Sequence, residues 1–285
     1  MKKELINKYR DYLIQWLRDW FENNGKDCQA VIGISAGKDS TVVAALCVEA
    51  LGKDRVIGVL MPNGEQNDIA DSYAVCRHLG IKYIEVNMQM AYSNIIMQMQ
   101  SQGIKASEQT KINLGPRLRM STLYAVSQSV NGRVVGTGNA SEIFVGFYTR
   151  YGDGACDVNP IAKLAMEEVV ELGLALGLPE YLVKKAPSDG LTGKTDNDVF
   201  NERGYSYADI YEYITKGTTG NADTNARLLY ANAAASFKTK LGDTPALYFN
   251  EIDLMGKYDC SRCTISKGCI TCTDSDQYTG GEQDV

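Results

Sequence analysis

The stretch Gly33-Ile-Ser-Ala-Gly-Lys-Asp-Ser40 decides how this chain is read. It follows the apolar run Ala30-Val31-Ile32 and precedes a second apolar stretch over residues 41–51. A strand that ends in a tight turn of small residues and passes straight into a helix aims backbone N–H groups and a helix N-terminus at an anion. An acid inside that turn, Asp39, repels phosphate unless a cation lies between them. The segment therefore reads as a binding loop for a Mg-pyrophosphate group. The rival reading is the Walker loop, which places four residues between its glycines and then Lys-Ser/Thr. Here three residues separate Gly33 from Gly37, and Lys38 is followed by Asp39, so the count and the hydroxyl position both disagree.

Working outward, strand and helix patterns alternate. Strands are expected at 29–35, 55–61, 82–86 and 133–138. Helices are expected at 40–51, 67–79, 116–130, 161–176, around 207–215 and at 221–240. Leu5, Tyr9, Tyr12, Leu13, Trp16, Leu17 and Trp20 recur at helical spacing and place an amphipathic helix first, ended near Gly25. Their stripe suits either packing within the chain or a contact between copies. The methionines of 88–99 read as gap-filling core or interface. Short apolar strands alternating with helices imply an α/β fold, a doubly wound parallel sheet with flanking helices. Ligands of such sheets bind beyond the carboxyl ends of the strands. Residues 35–39, 61–63 and 137–142 all fall at such ends. The polar run 188–204 is expected to be a mobile lid over that crevice.

The chain has 285 residues and a formal net charge of −6, which disfavours nonspecific attraction to nucleic acid. No apolar stretch approaches the roughly 18 residues that span a bilayer, and the N-terminus is not signal-like, so a cytoplasmic protein with reduced cysteines is expected. The single histidine, His78, falls in an expected helix. Ser-His-Asp and Cys-His machinery is therefore excluded, and the chemistry must run on positioning, cations and metal.

Within the crevice, Gly33, Ser35, Gly37 and Ser40 are expected to bind ATP, the last three cradling its β and γ phosphates. Asp39 and Glu142 supply hard oxygen ligands for Mg2+. Thr137 offers its hydroxyl to the nucleotide, and the backbone of residues 60–61 contacts adenine. Lys38 neutralises the leaving pyrophosphate, which makes it, with Asp39, a candidate catalytic residue.

The loop resembles the SGGxDS loop of the ATP pyrophosphatases, enzymes that split ATP between the α and β phosphates. Five further segments extend the resemblance: NGEQNDIADSYAVCRHLG (63–80), GPRLRMSTLYAVSQ (115–128), GTGNASE (136–142), GFYTRYGDGACDVNPIAKL (146–164) and KKAPSDGLTGKTDNDV (184–199). In this order and spacing the chain is similar to ammonia-dependent NAD synthetases over residues 31–213, most specifically at TRYGDGACD. The resemblance implies a ligase of NAD biosynthesis that amidates deamido-NAD with ammonia, giving NAD, AMP and pyrophosphate through an adenylated intermediate. It implies that Arg117, Arg150, Asp157 and Lys238 bind deamido-NAD and that Ser188 touches ATP. It also implies a homodimer, while the acidic charge and the lack of a long apolar stretch lead us to expect no nucleic-acid or membrane partner. Ammonia rather than glutamine is expected as nitrogen source, because no hydrolysing domain of suitable length flanks the body.

Four positions depart from the family pattern. Ala36 stands where a second glycine is usual; if φ is positive there, its methyl costs about 1–2 kcal/mol. Arg150 replaces a lysine. Met166 replaces a lysine that contacts ATP phosphates, with Lys163 or Lys38 as compensating cations. Phe237-Lys238 matches a His-Lys pair. These changes keep open a non-catalytic or altered-substrate nucleotide-binding homologue.

Cys260, Cys263, Cys269 and Cys272 form CxxC-x5-CxxC. Two such pairs suit Zn2+, although the gap is shorter than the usual spacing in zinc ribbons. A metal-free tail and a redox or iron–sulfur role are the other readings. A tRNA-modifying ATP pyrophosphatase would use the same cysteines but needs a basic face. The division expected is a synthetase-like domain over 1–258 and a Cys-rich, partly disordered tail over 259–285.

Overall fold

The computed structural model describes residues 2–66, 68–184 and 195–239. The elements run α1 (Lys2–Gly25), β1 (Gln29–Gly33), α2 (Lys38–Leu51), β2 (Val56–Leu60), α3 (Ile69–Leu79), β3 (Lys82–Glu85), α4 (Gln89–Ser101), α5 (Glu108–Ser129), β4 (Gly132–Val134), α6 (Ala140–Val145), α7 (Met166–Ala175), α8 (Glu180–Val183), α9 (Asp196–Glu202), α10 (Tyr207–Lys216) and α11 (Ala222–Ala235). Among the described residues the strands form one sheet in the order β3-β2-β1-β4, with every pairing parallel.

The strand residues divide by parity between two apolar layers. Ala30 and Ile32 of β1, with Val56 and Leu60 of β2, enter a large core with α1, α2, α3 and α7. Val31 and Val59 point the other way, against Leu118, Leu123 and Val126 of α5. The sheet is thus covered on both faces, which is the doubly wound arrangement the alternating pattern implies. Parallel βαβ units need this cover, because both faces of their strands are apolar.

The strand order also locates the crevice. From β1 the chain winds outward through β2 to the edge strand β3, then crosses the sheet and returns as β4 on the far side of β1. The switch of winding direction lies between β1 and β4, and ligands of such sheets bind at the carboxyl ends there. The loops after β1 and β4 meet at that point.

Most of the N-terminal stripe packs within the chain. Leu13, Leu17 and Phe21 are buried, with Tyr9, Trp16 and Trp20 partly buried against the same core. Leu5 and Tyr12 stay exposed. Arg18 donates to the carbonyls of Glu49 and Ala50, placing a cation at the C-terminal end of α2.

Four expectations need correction. Helix α5 starts at Glu108 rather than at Pro116, because Ser107 caps it by accepting from the Thr110 N–H. Pro116 then lies inside the helix, buried where Gly152 comes close. Helix α7 starts at Met166, and Ile161 and Leu164 are core residues of the turn before it. Helix α6 lies between the expected strand at 133–138 and the expected helix at 161–176, where no helix is expected. Finally, the described half of the expected lid, 195–204, is anchored. It forms α9, and Phe200 is fully buried among Phe147, Tyr205 and Tyr207, with ring centroids 4.9, 5.7 and 4.7 Å away. One aromatic in a polar run is enough to pin it.

Candidate active site

The turn after β1 is held by its own hydroxyls. The Ser35 N–H donates to Ser40 Oγ (3.3 Å), and the Gly37 N–H donates to Ser35 Oγ (3.2 Å). Ser40 Oγ and Thr41 Oγ1 donate to the Gly37 carbonyl at 3.1 and 2.9 Å. Ser35 and Ser40 therefore brace the loop internally as well as lining it. Helix α2 opens with Lys38, and the N–H groups of its first turn have no partner inside the helix. Its N-terminal positive end faces the loop.

Ala36 sits at φ +58°, the left-handed region that favours glycine, and is 1% exposed. Strain of about 1–2 kcal/mol is thus built into the turn. Gly37 has φ −72° and needs no such freedom. A Cβ there would instead lie 3.2 Å from Ser35 Oγ, so its smallness protects the brace.

A charge cluster fills the space between the two loops. Lys38 is 3% exposed, and its Nζ lies 3.1 Å from Asp39 Oδ2. Asp39 Oδ1 accepts from Asn139 Nδ2 at 3.1 Å. Asn139 caps α6: its Oδ1 accepts from the Glu142 N–H, while its own N–H donates to Glu142 Oε2, both at 3.1 Å. Asn139 thereby ties the β1 loop to the β4 loop across the switch point. Behind Lys38 stands Tyr207, with its ring centroid 5.8 Å from Nζ and its hydroxyl donating to Asp196 Oδ2 at 3.1 Å.

The electrostatics follow. Burial and then the neighbouring Asp39 push Glu142 well above the usual carboxylate range, and Lys38 only partly offsets them. Burial would lower Lys38, yet Asp39, Glu142 and Asp196 outweigh it and raise its pKa. Burial, followed by those same carboxylates, raises the Tyr207 hydroxyl. Among the described residues the Lys38 ammonium stands with the carboxylates of Asp39, Glu142 and Asp196. Asp39 and Glu142 are the pair that suits Mg2+: hard oxygens whose mutual repulsion a dication would cancel. Among the described residues no three His, Cys, Asp or Glu side chains gather as a metal cage. Two carboxylates plus phosphate oxygens and waters is how Mg2+ is commonly held.

Three of the expected acceptor residues meet at the loop after α6. Arg117 Nε, on α5, donates to the Arg150 carbonyl at 3.4 Å. The Arg150 guanidinium lies 4.7 Å from the Tyr151 ring centroid and 5.3 Å from that of Phe237. Lys238 Nζ donates to the Gly146 and Tyr148 carbonyls at 2.7 and 2.8 Å. Burial lowers its pKa, despite the carboxylate of Asp153. Asp157 lies apart from this group. Its Oδ2 accepts from the Val134 N–H at 2.7 Å, and its Oδ1 from the Tyr124 hydroxyl at 3.3 Å. Burial and then Asp157 push Tyr124 up to about 12. Tyr124 and Arg117 are seven residues apart on α5, two turns along one face.

Other expected residues fall as follows. Thr137 is half-buried just past β4. Gly33 ends β1, where a Cβ would lie 3.2 Å from Met61 Cε. At the strand end 60–61, Leu60 O accepts from the Val86 N–H and Met61 O from Arg119 Nε. Met166 packs against an apolar cluster of Val145, Phe200, Tyr207 and Ile210. Lys163 is exposed, and among the described residues Lys38 is the lysine inside the charge cluster. Ser188 and the four cysteines at 260, 263, 269 and 272 lie outside the described residues.

Asn139, Asp196 and Tyr207 belong to the cluster but are not among the expected residues. Asn139 carries a readable signal, a cap three residues before Glu142. Nothing local marks Asp196 or Tyr207, because their partners are distant in sequence.

The family described as NAD synthase matches residues 9–239. An NH3-dependent NAD synthetase of Carboxydothermus hydrogenoformans is 34% identical, over 82% of this chain and 96% of its own. A solved NMN synthetase of Francisella tularensis superposes with TM-score 0.76 at 34% identity, over 85% of this chain and 99% of its own. An NH3-dependent NAD synthetase structure from Campylobacter jejuni gives TM-score 0.68 at 28% identity, over 84% and 99%.

Proposed function

Since the chain belongs to the NAD synthase family, we propose that it makes NAD from deamido-NAD, ATP and ammonia. The observation that carries the reading is the Asp39–Asn139–Glu142 link beside the braced loop, at the switch point of the sheet. The pyridine carboxylate of deamido-NAD attacks the α-phosphorus of ATP, the bond to the bridging oxygen breaks, and pyrophosphate leaves. Ammonia then adds to the adenylated carbon, and AMP departs with one carboxylate oxygen.

Each residue has a role in charge or placement. Ser35, Gly37 and Ser40 shape the turn against the β and γ phosphates, with Gly33 giving the strand end its close approach and Thr137 facing the nucleotide. Ser188 is proposed to join them. Lys38 balances charge on the departing pyrophosphate. Asp39 and Glu142 hold Mg2+, which when bound screens the phosphate oxygens from one another. Arg117, Arg150, Asp157 and Lys238 take the dinucleotide, where guanidinium forks match carboxylate and phosphate. No histidine is needed: His78 is exposed on α3.

The test is incubation with ATP, Mg2+, deamido-NAD and ammonium. AMP and NAD should appear in equal amounts, and ADP would refute cleavage at the α-phosphorus. A second reading concerns the acceptor, because the Francisella neighbour is an NMN synthetase. Comparing kcat/KM for deamido-NAD and for nicotinate mononucleotide decides between them, the higher value naming the substrate.

We also propose a cytoplasmic homodimer without nucleic-acid or membrane partners. In support, among the described residues no helix is long and apolar enough to cross a membrane. The edge strand β3 and helix α4 leave Tyr83, Ile84, Met90 and Met97 exposed. Light scattering reads the mass directly. The division at residue 258 is proposed likewise, with the four cysteines taken as a Zn2+ site. Zinc near one equivalent, lost on Cys260→Ser, supports that, and metal-free protein with unchanged folding overturns it.

A further inference from the structure

We propose that Tyr207 and Asp196 are positioning residues for the Lys38 ammonium, and that through them α9 and α10 set the grip of the loop on pyrophosphate. This rests on the reading of the loop given above.

A lysine carries a compact charge on a flexible four-carbon stem, so its aim depends on what surrounds it. Lys38 is 3% exposed, and its surroundings are specific. On one side Asp39 Oδ2 lies 3.1 Å from Nζ. On the other stands the Tyr207 ring, its centroid 5.8 Å away, within the range over which an aromatic ring attracts a cation. That ring is itself fixed. Tyr207 is 3% exposed, it meets Phe200 edge-on at 4.7 Å, and its hydroxyl donates to Asp196 Oδ2 at 3.1 Å. Asp196, 6% exposed, opens α9, where a carboxylate is favoured by the helix dipole. The Thr195–Asp198 capping box holds that first turn. Fixed contacts thus run from α9 through the ring to Nζ.

The arrangement matters when the site fills. Asp39 is both the partner of Lys38 and the proposed ligand of the cation, so it cannot serve Lys38 fully once nucleotide binds. The ring and the Asp196 charge then keep the ammonium at the loop. A ring that merely filled the cluster of Val145, Phe200, Ile210 and Leu228 would have no such consequence.

The test titrates inorganic pyrophosphate with Mg2+, and separately AMP, into the full chain by calorimetry, with Tm measured alongside. Tyr207→Phe keeps the ring and frees it from Asp196. It should weaken pyrophosphate about fivefold and leave AMP within about twofold. Tyr207→Leu also removes the ring face and should weaken pyrophosphate about thirtyfold. Equal pyrophosphate affinity in wild type and Tyr207→Phe overturns the proposal. So does a parallel fall of both ligands with Tm, the signature of a filler. Should the Leu variant fail to fold, the nearly isosteric Phe variant decides alone. Pyrophosphate binding lost in Asp39→Asn would uphold the parent reading whatever the tyrosine variants do. Wild-type protein that binds no pyrophosphate overturns both.

Discussion

The two halves of the crevice are built differently. At the proposed phosphate end, side chains hold one another: Ser35 and Ser40 brace the turn, Asn139 ties Asp39 to Glu142, and a buried lysine sits among three carboxylates. At the proposed acceptor end, cations lean on rings and backbone: Arg150 lies against Tyr151 and Phe237, and Lys238 against two carbonyls. The first design fixes charges where a reaction develops them, which is how electrostatic preorganisation works. The second offers planar, rotatable forks that can follow the shape of a ligand. Chemistry should therefore be brittle to changes at the first end, and substrate preference tunable at the second.

Asp39→Asn tests the brittle end hardest. It removes a proposed ligand of the cation and the partner of Lys38 together, and kcat should fall about 10³-fold or more. A loss confined to KM would contradict the contrast between the two ends. Glu142→Gln should cost about 10²-fold in turnover while acting in the opposite sense on the empty protein. A raised carboxyl pKa means the folded chain holds that proton more tightly than the unfolded one. The group therefore favours folding below the ordinary Glu range and opposes it as pH rises toward its raised value. Ligand-free Glu142→Gln should melt above wild type at neutral pH, with the gap closing in acid. A lower Tm at neutral pH would count against a strained carboxylate.

At the end expected to be tunable, Arg150→Lys introduces the lysine that the family resemblance leads one to expect there. The acceptor KM should change by about tenfold with kcat within about threefold, since a guanidinium lying against two rings is worth about 1–2 kcal/mol. A collapse of kcat would show that Arg150 acts on the reacting atoms instead. The smallest effect is expected at Ala36→Gly. Relief of about 1–2 kcal/mol of strain is opposed by about 0.8 kcal/mol of lost methyl burial and about 0.4–1 kcal/mol of unfolded-state entropy. These nearly cancel, so thermal unfolding should shift by only a few degrees. A gain beyond about 2 kcal/mol would mean the methyl distorts more than its own φ.

What was legible in the chain divides along the same line. The turn at Gly33–Ser40 carries its chemistry in adjacent residues, so fold class, crevice and Asp39 could be read locally. Glu142 was readable because it follows a strand end, and its capping role follows from Asn139. Helix α5 starts earlier than expected because Pro116 reads as a helix-opening proline, while the Ser107 cap sets the real boundary. The anchoring of 195–204 was missed because one buried phenylalanine, Phe200, outweighs a polar neighbourhood. Tyr207 and Asp196 were invisible: their meaning is a distance to Lys38, and only folding supplies it. At residues 60–61, a contact invisible in the sequence is the Arg119 Nε bond to the Met61 carbonyl, which comes from another element.

The most direct measurement follows one oxygen. Deamido-NAD labelled with 18O in its pyridine carboxylate is turned over with ATP, Mg2+ and ammonium, and the AMP is weighed by mass spectrometry. Attack of that carboxylate on the α-phosphorus predicts one labelled oxygen in every AMP formed and none in pyrophosphate. Unlabelled AMP, or label in pyrophosphate, would contradict the account.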